Sequence, residues 1–98
     1  MDIIKISDYV SQCYSNEDGQ KIFEVIKNRL ELQETVQVSL EGFDIVSSSF
    51  VNSAFIQLLD NFSFDTIKSM ITFIHSNKSI NDLIKIRFQS ESKLARKL

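Results

Sequence analysis

Three consecutive serines, Ser47, Ser48 and Ser49, are the residues of this 98-residue chain best placed to do chemistry. They follow the turn Glu41-Gly42-Phe43-Asp44 and precede an apolar-patterned run that begins at Phe50. A helix opening there presents unpaired backbone N–H groups and a partial positive charge. Hydroxyls at that position can cap the helix, bind an anion or accept a phosphoryl group. Capping accounts well for one serine and poorly for three, because one side-chain oxygen is enough to accept from the N–H two or three residues on. A second serine, left outside the cap, would hold a phosphate against the free N–H groups and change what docks on that surface.

Other chemistry has less support. A serine nucleophile needs a base, yet the chain has a single histidine, His75, and no glycine elbow around the serines. A lone histidine closing the apolar run Met70–Ile74 reads as a surface or capping residue, so hydrolysis is the least supported class. Glu41 and Asp44 read as solvated turn formers with no third metal ligand nearby. Asp44 before the serines, and Asn52 and Ser53 after them, are the candidate interaction surface. The single cysteine, Cys13, has no internal disulfide partner, and one cysteine with one histidine cannot give zinc-ligand spacing. No catalytic residue, metal or cofactor is expected.

Composition sets the frame. One domain spanning residues 1–98 is expected, with hydrophobic residues at 43%, enough for a core and too many for a disordered tail. Proline and tryptophan are absent, and Gly19 and Gly42 are the only glycines, so few breaks are forced. No apolar run approaches the ~20 residues of a membrane span. The start Met1-Asp2-Ile3-Ile4-Lys5 lacks the basic-then-apolar layout of a signal peptide, which makes the cytoplasm the expected location. Net charge is −2, divided between −6 over residues 1–84 and +4 over residues 85–98. The basic residues Lys85, Arg87, Lys93, Arg96 and Lys97 read as helix-dipole compensation at a soluble end rather than as a nucleic-acid site.

The elements that would position the serines follow from hydrophobic periodicity. Ile3, Ile4 and Ile6 form a short first strand, and Tyr9, Val10 and Cys13 a helical turn against the core. Ser15-Asn16-Glu17-Asp18 opens a helix that runs to about Leu32, with Ile22, Phe23, Ile26 and Leu30 inward and Lys27, Arg29 and Glu31 toward solvent. Thr35–Leu40 alternates as a strand, and Gly42 marks the turn. A second helix is expected from Ser49 to about Asn61, with Phe50, Ala54, Phe55, Leu58 and Leu59 inward. Ser69–Ile74, apolar on both faces, is expected as the central strand. Ser79 would cap a last helix, with Asp82 as its capping-box acid, Asn77 and Asn81 as turn and cap residues, and Ile80, Leu83, Ile84 and Phe88 as its buried stripe. This helix continues through Lys93–Lys97 and frays in its last turn. The order β-α-β-α-β-α is an α/β domain with a parallel or mixed sheet of about 3–4 strands joined by right-handed crossovers.

The run Val38-Ser39-Leu40-Glu41-Gly42-Phe43-Asp44-Ile45-Val46-Ser47-Ser48-Ser49-Phe50-Val51-Asn52, followed by an apolar helix ending Leu58-Leu59, resembles the signature of STAS-like domains (sulphate transporter and anti-sigma-factor antagonist). It is most similar to the bacterial STAS-like family of unknown function. In the better-known antagonists the corresponding turn reads Asp-Ser-Ser-Gly, and its first serine is phosphorylated by a GHKL-type kinase-like ATPase. The resemblance lays the aspartate position on Ser47, the phosphorylated serine on Ser48, the next serine on Ser49 and the glycine on Phe50. An acidic pair often follows Ser-Phe-small in the STAS-like family, and here Asn52 and Ser53 stand there. The resemblance implies a non-enzymatic protein-interaction domain, with a kinase-like ATPase as partner and Ser48 as its phospho-switch. A small-ligand or nucleotide-sensing domain using the same helix opening, and a self-associating subunit, are the alternatives from other classes.

Overall fold

The computed structural model describes the backbone of residues 2–96 and the side chains of residues 3–91. Three four-residue strands, β1 (Asp2–Lys5), β2 (Val36–Ser39) and β3 (Ile71–Ile74), form one parallel sheet in the order β1-β2-β3. Register pairs Ile4 with Val38 and Val38 with Phe73. Four helices complete the fold: α1 (Asn16–Glu31), α2 (Ser48–Ala54), α3 (Phe64–Met70) and α4 (Lys78–Arg96). Both crossovers step in the same direction along the sheet, so right-handed connections place their helices on one face. That inner face buries Ile4, Val36, Val38 and Ile71, whereas Ile3 and Thr72 on the opposite face are exposed.

The α/β class and parallel sheet match the expectation, and several details differ. Ile6 leaves the first strand for a 3-10 turn, Ile6–Asp8, where it stays fully buried. Val10 and Cys13 pack on the core as expected, while Tyr9 is exposed. Helix α1 starts where predicted, with the Ser15 hydroxyl accepting from Asp18 N–H at 3.1 Å. It ends in a Schellman-type turn: Gln33, at φ 61°, and Glu34 donate their N–H groups to the carbonyls of Leu30 and Arg29. Lys27 and Arg29 are half-buried rather than solvated, and the Lys27 ammonium lies 5.9 Å from the centre of the Phe23 ring.

The second helix is not continuous. It stops at Ala54, and a 3-10 segment, Ile56–Asp60, follows the junction at Phe55. Ala54, Phe55, Ile56 and Leu58 are all buried. In an unbroken α-helix residues 54–56 would span about 200° of the surface, too wide for one packed face. The break at Phe55, φ −118° and ψ −49°, interrupts that spacing, so the buried side chains need not share one face, and Leu59 is left half-buried. Ser69 and Met70 belong to α3, an unforeseen short helix capped by Ser63, so the last strand begins at Ile71. That strand lies at the sheet edge and β2 is central, because both crossovers advance the same way. The apolar run of β3 serves Phe73, whose ring meets Phe55 edge-on at 5.0 Å.

At α4 the cap is Asn77, whose Oδ1 accepts from Ile80 N–H at 2.9 Å. Ser79 lies inside the helix, and Asp82 pairs with Lys78 at 3.1 Å instead of closing a capping box. Ile80, Ile84 and Phe88 are buried as predicted. The backbone of α4 continues to Arg96, whereas the side chains of Lys93 and Arg96, together with Lys97 and the fraying expected of the last turn, lie outside the described residues.

Helices α1 and α2 meet through backbone. A Cβ added to Gly19 would stand 2.6 Å from Ser53 Cβ and 2.8 Å from the Phe50 carbonyl oxygen. Those neighbours are fixed by helix geometry and cannot swing away. Gly19→Ala is expected to lower the unfolding free energy by about 1–3 kcal/mol, the usual range for overpacking. Helix propensity alone predicts the opposite sign, a gain of roughly 1 kcal/mol. Urea unfolding followed by circular dichroism separates the two.

Candidate functional site

The chain reaches α2 through a turn in which Gly42 has φ 92°, a left-handed conformation that an L side chain would strain. Phe43 N–H closes the turn onto the Leu40 carbonyl at 3.1 Å. Ser47 then stops the chain at the mouth of α2. Its hydroxyl accepts from Phe50 N–H at 3.0 Å and donates to the Tyr14 carbonyl at 2.8 Å, and its own N–H donates to the Cys13 carbonyl at 2.9 Å. Ser47 is therefore the cap, and it also stitches the opening of α2 to the segment leading into α1.

Ser48 and Ser49 start the helix itself and are exposed, and among the described residues their side chains have no hydrogen-bond partner. The three serines thus divide into one structural residue and two free hydroxyls. No acidic residue lies in the first turn of α2. Tyr14 and Ile45 flank it with 55% and 66% of their surfaces exposed.

Residues four apart share a helix face, which aligns Ser48 with Asn52 and Ser49 with Ser53. The expected interaction residues Asn52 and Ser53 therefore continue the serine face one turn further along. There they border a groove of about 770 Å³ between the start of α1, the α2/3-10 segment and the middle of α4. Ser53 Oγ donates to Asn16 Oδ1 at 3.0 Å, Arg87 Nε donates to Asn52 Oδ1 at 2.8 Å, and Arg87 Nη2 donates to Glu91 Oε1 at 2.8 Å. Arg87 is consequently a wall of this groove, not a loose cation at the helix end. Asp44 is separate: it lines a smaller hollow with Tyr14 and Ile45, and its carbonyl accepts from Asn77 Nδ2 at 2.9 Å.

The groove was not foreseen as a site. The Arg87/Glu91 spacing is readable as an i,i+4 pair, but Asn16, Gln20, Gln57 and Asp60 come together only through the packing of α1 on α2. His75 is exposed at φ 54°, in the turn between β3 and α4. Cys13 is buried, which, with a smaller contribution from Asp18, pushes its thiol up to about 12 and keeps it protonated. Among the described residues no group of three or more His, Cys, Asp or Glu could hold a metal ion, and no helix is long and apolar enough to cross a membrane.

Residues 18–81 match the family model of the STAS-like domain of unknown function, and the chain belongs to that family. The match covers the end of the α1 opening, the sheet centre, the serine face and the start of α4. No curated protein and no solved structure matches the chain.

The division of labour among the serines has a direct test in thermal or urea unfolding. Ser47→Ala is expected to cost about 1–2 kcal/mol, since it removes a cap and a second hydrogen bond. Ser48→Ala and Ser49→Ala are each expected to stay within about 0.5 kcal/mol of the parent.

Proposed function

We propose that this STAS-like domain is a cytoplasmic, non-enzymatic regulatory module that docks a protein partner through the outer face of α2, with Ser48 as the phosphate acceptor. A GHKL-type kinase-like ATPase is the partner class that the resemblance implies. The observation carrying the reading is that Ser47 alone meets the capping requirement, which leaves Ser48 and Ser49 exposed and unengaged. Capping thereby explains one serine, and the remaining pair is accessible to a kinase.

A phosphate on Ser48 would bring about −1.5 to −2 charges to a helix whose first turn has no acidic residue. Tyr14 and Ile45, which precede the caps of α1 and α2, expose apolar surface that favours a docked protein over bulk water. The single cysteine, Cys13, offers no internal disulfide, which suits a reducing compartment. Ser48 and Ser49 also have no hydrogen-bonded base among the described residues, as a serine nucleophile would need.

Incubation with a GHKL-type kinase-like ATPase and ATP, followed by intact-mass measurement, tests this reading. The expected result is one added phosphate on the parent protein and on Ser49→Ala, and none on Ser48→Ala. Uptake of the same phosphate by Ser48→Ala would show the site to be misassigned.

A further inference from the structure

The groove beside α2 carries a more specific inference, because its unused hydrogen-bonding groups can be counted. Asn16 and Asn52 have their carbonyl oxygens occupied by Ser53 and Arg87, which leaves both NH₂ groups open. Gln20 gives its NH₂ to Glu24 at 2.9 Å, which leaves its carbonyl open. Among the described residues the Gln57 side chain makes no hydrogen bond, so its carbonyl and its NH₂ are both open. The walls therefore offer donors and acceptors together, the complement of a main chain that alternates C=O and N–H. Ile56 and Leu59 add apolar surface for a side chain.

Charge narrows the ligand further. Arg87 is already neutralised by Glu91, whereas Asp60 has no ion-pair partner among the described residues. The groove thus holds a spare negative charge and no spare positive one, which opposes phosphates and carboxylates. No aromatic ring lines it, although the chain contains eight phenylalanines and two tyrosines. A nucleobase would lack the stacking surface such ligands use.

We propose that the groove between α1, α2 and α4 seats an extended segment of a partner polypeptide, with its main chain held by the carboxamides and a basic side chain held by Asp60. The proposal rests on the reading of the outer face of α2 as the docking face, and it names the chemistry of what docks there. The segment leaves the groove past Asn52 and Ser53 toward the exposed serines.

A phage-displayed library of random linear peptides, selected on the unphosphorylated protein, provides the probe. Selected peptides should carry Lys or Arg and few acidic residues. Gln57→Ala should weaken them about tenfold, the loss of roughly one well-formed hydrogen bond with its partner left unpaired. Asp60→Asn should abolish the advantage of the basic residue, so that the parent peptide and its Lys→Met version bind this variant alike. Neither side chain has an internal partner, so both variants should keep the parent melting temperature. Failure to select any peptide, selection of acidic peptides, or equal affinity for the parent and both variants would overturn the proposal. Because no phosphate is present, these results are independent of whether Ser48 is a phosphate acceptor.

Discussion

The contact on which the rest of the structure depends is the approach of α1 to α2 at Gly19. Only a residue without a Cβ lets the two helices come this close, since the nearest neighbours are Ser53 Cβ and the Phe50 carbonyl. A glycine inside a helix costs about 1 kcal/mol in propensity, so its presence there signals a compensating close contact. At that separation Ser53 reaches Asn16 and Ser47 reaches the carbonyls of Cys13 and Tyr14. A wider crossing would break these bonds, remove one wall of the groove and release the serine face from its support.

The opposite side of α2 is held by rings. Phe50 and Phe55 meet edge-on at 6.0 Å, and Phe55 meets Phe73 of β3 at 5.0 Å. Edge-to-face pairs of this kind contribute about 0.5–1.5 kcal/mol beyond area burial. After the break at Phe55 the same segment serves two neighbours: Phe55 meets the sheet, and Ile56 lines the groove with Arg87 and Glu91 of α4. Helix α4 is tied in polar fashion, by Arg87 to Asn52 and by Asn77 to the Asp44 turn. The outer face of α2 is thus supported from α1 and α4, while the Ser48 and Ser49 hydroxyls stay free. Under the proposed docking role, a face supported in this way would have less ordering entropy to lose on binding.

Local signals in the sequence located α1, β2 and the serine run, because capping serines, period-two alternation and the Gly42 turn are short-range devices. The run from Val38 to Asn52 also carried the family resemblance. Long-range contacts left no such trace. Gly19 reads as an unexplained glycine until Ser53, 34 positions later, is seen against it. Helix α3 escaped because seven residues with a single buried member, Ile67, make no periodic stripe. The break at Phe55 was hidden because a run of apolar residues fits one long helix or two short pieces equally well. The edge position of β3 depends on crossover direction, which no residue of the strand records. At the serines, the sequence showed three hydroxyls in a row, and only the Tyr14 and Cys13 carbonyls decide which one is structural.

The most direct measurement of the central constraint is a double-mutant cycle between Gly19→Ala and Ser53→Gly, read by urea unfolding. Removing the Ser53 Cβ takes away the nearest obstacle to an alanine methyl at position 19. The alanine should therefore cost at least about 1 kcal/mol less in the Ser53→Gly background than in the parent, a coupling well outside additive behaviour. Additivity within about 0.5 kcal/mol would mean that the two helices do not meet at this contact, and would contradict the account.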